Sequence, residues 1–294
     1  MITRNRLDLG RLARFLGLPL LLLVAFDLAV TLVYKAGLTR VAVDGLPLPL
    51  LGSAIALIVT FRNNAAYDRW WEARGLWGLV VNNSRSLARG LQTFIDDTAI
   101  QDRLIRCQIA HALALRCALL VRPPWDDIAP YVPADLLPRL RTATNVPNAI
   151  HSAVAQELGA LRRAGTLDPI GARALDATLT ALANAQGGLE RIKRTPMPRQ
   201  YNQFPQVFVL LYCVLLPIGL LTDLGSFTVL GAATIGFMFL SLDRIGRDLE
   251  DPFEGKLHDV PMRAITRTIE IDLLQTIGVE TTLEPIKPVD GVLW

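Results

Sequence analysis

Residues 46–78, LPLPLLGSAIALIVTFRNNAAYDRWWEARGLWG, join an almost purely apolar half to a half rich in charge, amides and tryptophan. The apolar half, residues 46–61, has the composition of a membrane-spanning helix. At about 1.5 Å per residue, the helix from Gly45 to Phe61 is about 25 Å long, slightly short of a hydrocarbon core of about 30 Å. We therefore expect protein to hold its ends, which favours a site inside an assembly.

The composition of the chain is typical of an integral membrane protein. Of its 294 residues, 51% are hydrophobic and only 19% are charged, and the net charge is +3. This balance argues against a nucleic-acid-binding surface, so we expect no nucleic acid as a partner. The three cysteines, Cys107, Cys117 and Cys213, lack the spacing of a metal or disulfide site, and we expect them to be small buried apolar side chains.

Four apolar stretches predict four transmembrane helices in contact with the lipid bilayer. They lie at about residues 15–34, 46–61, 205–221 and 227–242. Basic residues precede the first stretch and follow the second and fourth: Arg4, Arg6, Arg11, Arg14, Arg62, Arg244 and Arg247. Because basic residues favour the cytoplasmic side, we predict a multi-pass protein of the inner (plasma) membrane with both termini in the cytoplasm. The first stretch lacks a clear A-x-A cleavage site, so we interpret it as a retained helix.

Two features inside these stretches bear on how the helices pack. Asp27 lies within the first stretch, where a charge is costly in lipid, so its side chain should face protein or water. An ion-pathway carboxylate and a helix–helix hydrogen bond are both open interpretations, and we favour the hydrogen bond. The fourth stretch is rich in small residues, which predicts close approach of a neighbouring helix: Gly231, Ala232, Ala233 and Gly236.

The remaining segments, residues 62–204 and 243–294, predict a cytosolic helical region. Residues 104–121, LIRCQIAHALALRCALLV, are apolar enough to consider as a span, but each central arginine costs roughly 2.5–3.5 kcal/mol on insertion scales. We therefore predict a buried soluble helix there, with His111 as a core histidine. Amphipathic helices are predicted at about residues 149–164 and 169–186.

The chain carries none of the motifs of common enzyme classes. It has no P-loop, no G-x-G-x-x-G after a strand, no H-E-x-x-H and no nucleophile elbow. The adjacent carboxylates Asp96–Asp97 and Asp126–Asp127 do not share a helical face, so we interpret them as solvated. We expect no catalysis, no cofactor and no resident metal.

The run FRNNAAYDRWWEARGLWGLVVNNSR, residues 61–85, resembles the bestrophin family of ion channels, particularly its bacterial branch. Weaker similarity lies at RTPMPRQY, residues 194–201, and at EDPF, residues 250–253. The resemblance implies an all-α integral membrane subunit over residues 1–294, with four transmembrane helices and a cytosolic helical region. It also implies a homopentamer whose central pore passively conducts small monovalent ions, either chloride and other anions or monovalent cations.

Ser53, Leu57 and Phe61 recur every four residues and form a stripe on one face of the second predicted helix. The spacing alone fits a packing face as well as a pore. The resemblance implies that these three residues narrow the pore into a hydrophobic neck, which can gate by dewetting. The family usually has a bulky apolar residue where Ser53 stands, so we expect the outer end of the neck to be wider or wetter here.

The resemblance assigns roles to two further groups of residues. Met197, in the TPMP motif, is implied to form a second, cytosolic constriction, the aperture, although packing beneath a turn between two prolines is the alternative. The polar and aromatic residues after the neck are expected to lock the pore helix to its neighbours: Arg62, Asn63, Asn64, Tyr67, Arg69, Trp70, Trp71, Glu72 and Arg74.

Animal bestrophins open when calcium binds an acidic cluster, and the matching stretch here is DPFEGKLHD, residues 251–259. It contains Asp251, Glu254 and Asp259, but the dense acidic run is missing and Lys256 intervenes. Since calcium needs six to eight oxygen ligands, we predict that this degenerate stretch forms no calcium site.

Two other classes of function stay open at the level of sequence. One is a membrane-anchored scaffold that binds a partner protein without conducting ions. The other is a secondary transporter, against which the four spans show no inverted repeat or matched pair of broken helices.

Overall fold

The computed structural model describes residue 1 and residues 9–293, with side chains from Leu16 onward in the first helix. Over this part of the chain the fold is almost entirely helical, and the regular β-structure in it is one isolated bridge, Val289 to Val292. The α-helices are α1 (Leu9–Lys35), α2 (Leu48–Phe94), α3 (Thr98–Leu119), α4 (Trp125–Ile128), α5 (Leu137–Arg141), α6 (Val146–Arg163), α7 (Pro169–Arg194), α8 (Arg199–Leu224), α9 (Thr228–Glu250) and α10 (Met262–Thr276). The all-α prediction is confirmed.

The chain divides into two compact units. The apolar unit comprises Asn5–Arg69 and Pro196–Glu250 and contains α1, α8, α9 and the first part of α2. The core unit comprises Met1–Arg4, Trp70–Thr195 and Asp251–Trp294, and contains the rest of α2 with α3 to α7 and α10.

Three segments of the described chain are long and apolar enough to cross a membrane: Leu16–Lys35, Leu48–Phe94 and Arg199–Glu250. The last consists of α8 and α9 joined by a 3-10 turn at Gly225–Phe227. Membrane-spanning helices are thus present, while the count of four spans stays a prediction. Arg4 and Arg6, used to predict the orientation, lie outside the described residues, and so do the side chains of Arg11 and Arg14.

Small residues let the helices of the apolar unit approach closely. A Cβ at Gly236 in α9 would lie only 2.3 Å from Cδ2 of Leu23 in α1, and 3.6 Å from Sγ of Cys213 in α8. Ala232, one turn earlier, is also completely buried. The predicted close packing on the small-residue face of α9 is confirmed.

Asp27 is fully buried inside the apolar unit. Neither of its carboxylate oxygens has a hydrogen-bond partner in the described part of the chain. The side chain therefore faces protein, as expected, but the predicted hydrogen bond between helices is wrong. A hydrogen bond is made at the Asp27 backbone instead, where Thr31 Oγ1 donates to the Asp27 carbonyl over 2.8 Å.

In the core unit, capping side chains fix where helices begin. Asp97 accepts hydrogen bonds from the backbone N–H groups of Ala99 and Ile100, and so starts α3. Asp168 does the same for α7. The helices predicted from residues 149 and 169 correspond to α6 and α7, but α7 runs to Arg194 because its apolar face continues through Leu189 and Ile192, which are both buried. Asp97 is therefore a cap and not merely solvated.

The predicted soluble helix at residues 104–121 corresponds to α3, whose residues from Leu104 onward are nearly all buried. The three cysteines are free and buried, as predicted. His111 of α3 stacks on His151 of α6, with ring centroids 3.5 Å apart. Each ring has an amide oxygen at hydrogen-bond distance from its Nε2, Gln186 for His111 and Gln108 for His151.

The surroundings of this pair keep both rings neutral. Burial lowers the pKa of His111 to about 4. Burial, and then the neighbouring His111, hold the pKa of His151 well below its usual value. No group of three or more His, Cys, Asp or Glu side chains in the described residues is arranged to hold a metal. The interpretation of His111 as a core histidine is confirmed.

Candidate functional site

The predicted neck residues lie on a face of α2 that is exposed in the single chain. Leu57 and Phe61 are each 56% exposed, although both are large and apolar. Ser53 is exposed on the same stripe, but its hydroxyl donates to the carbonyl of Leu50 over 2.8 Å and so is partly satisfied by its own helix. The opposite face of α2 is buried, with Val59 at its centre.

Directly after Phe61, Arg62 is buried to 1% exposure and makes a dense set of bonds within the apolar unit. Its Nη1 lies 2.6 Å from Oδ1 of Asp243, at the end of the apolar part of α9. Its Nη2 donates to the backbone carbonyl of the same residue over 2.7 Å. Because a buried charge needs a partner, this arrangement joins α2 to α9.

Asn63 extends the same junction. Its Nδ2 donates to the carbonyl of Leu242 over 2.8 Å, and its Oδ1 accepts from Arg62 Nη2 over 3.1 Å. Gly246 leaves room for this contact, since a Cβ there would lie 2.0 Å from Asn63 Oδ1. Asp243 also pairs with Arg247 over 2.9 Å, so two guanidinium groups share one carboxylate.

Sequence reasoning did not single out Asp243. A signal was available in the sequence. Arg62 directly follows one apolar run, and a buried charge there needs a partner of opposite sign. Asp243 directly follows another apolar run and could supply that charge. The two residues are 181 positions apart, so no local spacing could have paired them.

Among the other residues predicted to anchor α2, some contact neighbouring elements and some have exposed side chains. In the core unit, Trp70 Nε1 donates to the His258 carbonyl over 2.9 Å, and Glu72 forms an ion pair with Arg191. The rings of Trp70 and Trp71 are tilted by 31° with centroids 6.3 Å apart. Arg69 is half-buried, Glu72 is exposed although it is paired, and the other exposed members are Asn64, Tyr67, Trp71 and Arg74. The exposed members recur at helical spacing and continue the pattern of Leu57 and Phe61.

Met197 lies between Pro196 and Pro198 in the link that leads into α8, and its side chain is half-buried. Pro198 is the N-terminal flanking residue of α8. Nearby, Asn202 Nδ2 donates to Glu250 Oε2 over 2.6 Å, which ties the start of α8 to the end of α9. Met197 therefore lies close in sequence to the point where the start of α8 is anchored to the end of α9.

The three acids of the degenerate calcium stretch are each bound to groups of the chain itself. Asp251 Oδ2 lies 2.7 Å from Lys193 Nζ, and its Oδ1 accepts from the Phe253 N–H. Glu254 forms an ion pair with Lys256. Asp259 accepts the Lys256 N–H over 2.9 Å. These contacts hold the stretch together through lysine and backbone donors.

Comparison with known proteins places this geometry in a family. The family model described as bacterial/fungal bestrophin protein matches residues 9–275. The voltage-dependent anion channel-forming protein YneE of Escherichia coli is 38% identical over 229 residues, covering 78% of this chain and 75% of the relative. The voltage-dependent anion channel-forming protein mll4386 of Mesorhizobium japonicum is 37% identical over 235 residues, covering 79% and 75%.

Comparison of the fold with solved structures indicates the same family. The crystal structure of a bacterial bestrophin homologue from Klebsiella pneumoniae superposes with a TM-score of 0.85 at 33% identity, over 89% of this chain and 98% of that one. Family model, relatives and fold agree, and together they identify a membrane channel protein and not an enzyme. The chain belongs to the bacterial and fungal bestrophin family.

Proposed function

We propose that this chain forms an anion-conducting channel, a homopentamer in which five copies of α2 surround a central pore. The preference for anions over monovalent cations rests on the relatives, which are named as voltage-dependent anion channel-forming proteins. Conduction is passive, and it uses no cofactor. The pore carries small monovalent anions such as chloride.

The observation that carries the proposal is the exposed apolar stripe of α2. Leu57 and Phe61 expose more than half of their side-chain surface, while the other face of the same helix is buried. In a ring of subunits, Ser53, Leu57 and Phe61 would form the neck. A narrow ring of apolar side chains excludes water, so an ion must shed part of its hydration to pass, and small changes in radius open or close it.

The charge next to the stripe supports anions. Arg62 and Arg247 share the single carboxylate of Asp243, which leaves one net positive charge in this cluster. Five such clusters around an axis would raise the potential just beyond Phe61, and low-dielectric walls strengthen that effect. The Arg62 junction also has a mechanical role in the proposal, because it fixes the end of the neck helix to α9.

Met197 is proposed as the second constriction. A methionine between two prolines stands on a stiff backbone but has a flexible, polarizable side chain. A ring of five could therefore adjust its width while the backbone stays in place. Trp70, Glu72 and the other polar residues after Phe61 are proposed to hold α2 against its neighbours and not to contact the ion.

Liposome flux tests the pore directly. The protein is reconstituted, and the reversal potential is measured in asymmetric potassium chloride. We expect the reversal potential to shift towards the equilibrium potential of chloride. We also expect larger currents for Leu57→Ala and Phe61→Ala, because a wider neck stays hydrated. Ile58→Ala is the matched control, since Ile58 is also exposed but lies about 100° around the helix from Leu57.

Four results would contradict the proposal. A wild-type protein without flux favours the scaffold. Saturable uptake coupled to a gradient favours the transporter. Equal effects of Leu57→Ala and Ile58→Ala show that the stripe does not line the pore. Light scattering of the detergent-solubilised particle checks the assembly, and a monomer or dimer contradicts it.

The proposed topology has four spans, both termini in the cytoplasm and the turn between α8 and α9 outside. The three native cysteines are buried, so introduced cysteines report without background. Ser226→Cys, on the exposed turn, should react in cells with a membrane-impermeant maleimide. Arg173→Cys, on the exposed face of α7, should react only after lysis. The reverse pattern would overturn the orientation.

A further inference from the structure

Asp68 is a carboxylate on α2 that belongs neither to the neck nor to the residues predicted to anchor the helix. It follows Phe61 by seven residues, so at about 1.5 Å per residue it lies about 10 Å further along the helix. Its side chain is exposed in the single chain. Leu57, Phe61 and Asp68 all belong to the apolar unit, and one continuous helix fixes their relative positions.

Helical geometry places Asp68 on the same stripe as the proposed neck. Each residue turns about 100° around the helix axis, so Asp68, eleven residues after Leu57, lies only about 20° around the helix from it. Phe61 lies about 40° from Leu57 in the same direction, and Asn64 about 20° in the other. Asn64 and Asp68 are both exposed. The stripe that is apolar at Leu57 and Phe61 therefore continues as an amide and then a carboxylate.

The charge of Asp68 is not neutralised inside the chain. Among the residues that the structure describes, its carboxylate has no ion pair and no hydrogen bond. Glu72, the next acidic residue of α2, differs because it forms an ion pair with Arg191. Asp68 therefore keeps its full negative charge on the exposed face.

The nearest basic residues of α2 lie on other faces of the helix. Arg62 lies about 140° around the helix from Leu57, is buried to 1% exposure and is bound to Asp243. Arg69 lies about 100° from Asp68 and is half-buried. The charge on the stripe itself is therefore negative, while the positive charge of Arg62 acts from behind it.

This inference rests on the proposed function, in which five copies of α2 surround the pore. In that ring, five Asp68 carboxylates would surround the path of the ion about 10 Å beyond Phe61. A ring of one sign of charge attracts ions of the opposite sign and repels ions of its own. We propose that Asp68 is a specificity-determining residue, which limits the preference of the channel for anions by attracting monovalent cations to the pore beyond the neck.

Two groups of charges then act against each other in each subunit. The cluster of Arg62, Arg247 and Asp243 contributes one net positive charge, and Asp68 contributes one negative charge. These charges sum to zero, so a neutral residue at position 68 leaves the positive cluster unopposed. The preference for chloride over potassium should therefore rise when the Asp68 carboxylate is removed.

Reversal potentials of the reconstituted channel in asymmetric potassium chloride measure this effect. We expect Asp68→Asn to raise the ratio of chloride to potassium permeability at least about threefold, since surface potentials of this kind change local ion concentrations by such factors. Asp68→Glu keeps the charge and should keep the wild-type ratio. The effect of Asp68→Asn should shrink in concentrated salt, because the Debye length falls from about 10 Å at 0.1 M to about 3 Å at 1 M.

Two further variants separate a pore charge from a general surface charge. Asp176→Asn makes the same charge change at an exposed position of α7 and should leave the permeability ratio unchanged. Asp68→Cys gives control over the sign, because the three native cysteines are buried. An anionic thiosulfonate reagent should return this variant to the wild-type ratio, whereas a cationic one should raise the preference for chloride further.

The outcomes distinguish this inference from the proposed function. A wild-type protein without flux overturns both. Flux that increases in Leu57→Ala, together with an unchanged permeability ratio in Asp68→Asn, overturns this inference alone. An equal shift in Asp68→Asn and Asp176→Asn also overturns it, because the charge would then act from anywhere on the surface. Loss of the assembled particle in Asp68→Asn but not in Asp68→Glu would instead assign the carboxylate to a contact between subunits.

Discussion

Arg62 in the apolar unit and Arg116 in the core unit are both buried arginines, but their hydrogen bonding differs. Arg62 uses Nε, Nη1 and Nη2, which are bound to Asp243 and Asn63. Arg116 uses only its two Nη atoms, and its Nε is unsatisfied among the described residues. The arginine whose three nitrogens are all bound makes more bonds to its surroundings than the one whose Nε is unbound, so we expect Arg62 to contribute more to stability than Arg116.

The same contrast separates other buried groups. The His111–His151 pair is neutral and bound to amide oxygens, so it behaves as part of the core. The Asp27 carboxylate is buried without a hydrogen-bond partner in the residues described, and the bond beside it, from Thr31 Oγ1, goes to the Asp27 backbone carbonyl. Burial of a polar group therefore does not by itself indicate a site.

Arg62→Met should have the largest effect on stability. It removes the bonds to Asp243 and leaves that carboxylate with Arg247 alone. Breaking a buried ion pair costs about 3–5 kcal/mol, so we expect a strongly lowered unfolding temperature in detergent and loss of the assembled particle. Arg199→Met, at an exposed arginine in the same unit, is the control. Equal effects of the two variants would show that Arg62 does not hold α2 to α9.

Gly246→Ala should disturb the same junction from the other side. The added Cβ would lie 2.0 Å from Asn63 Oδ1 and 2.8 Å from Arg62 Nε. Overpacking of this kind costs about 3 kcal/mol at the upper end of its usual range, and we expect a clear loss of thermal stability. Gly75→Ala on α2, where a Cβ meets nothing within 4 Å, should be neutral or slightly stabilising. If the two substitutions behaved alike, the close approach at Gly246 would be wrong.

The main elements of the fold could be predicted from the sequence. Apolar length and periodicity are local signals, so they predict α1, the apolar half of α2, and α8 with α9, and the arginines inside residues 104–121 predict the buried helix α3. The start of α7 at Pro169 was also predicted, since a proline in the first turn after Asp168 is a local signal.

Pairings over long sequence distances could not be predicted in the same way. Asp243 is 181 residues from Arg62, and Thr266 is 150 residues from Arg116. The interpretation of Asp127 as solvated is wrong, because its carboxylate accepts hydrogen bonds from Arg116 and Cys117, which are separated from it along the chain by a turn. Only the folded structure shows which side chains are close enough in space to pair.

The histidine pair should make stability depend on pH in a defined window. The pKa of His111 in the folded protein is about 4, below its usual value near 6.5, because burial penalises the charged ring. As pH falls below 6.5 the unfolded chain takes up the proton first, so stability is complete above that value and decreases until about pH 4. At pH 5 this amounts to about 2 kcal/mol.

Thermal unfolding from pH 7.5 to pH 4.5 measures that loss. A variant with His111→Gln and His151→Gln should lose less stability than the wild-type protein between pH 6.5 and pH 5, whatever its stability at pH 7.5. An unchanged slope in this variant would show that other groups cause the acid sensitivity.

Arg116→Met should have the smallest effect on stability. Asp127 would keep Arg122 and the Cys117 thiol as donors, and Thr266 Oγ1 would still donate to the Met262 carbonyl, so no partner is stranded. The loss should therefore be about 1 kcal/mol, the net value of an ordinary hydrogen bond, and well below that of Arg62→Met. Thermal unfolding of both variants in the same detergent measures the two losses. If Arg116→Met lowered the unfolding temperature as much as Arg62→Met, Arg116 would hold its surroundings as firmly as Arg62 does, and the distinction between the two buried arginines would fail.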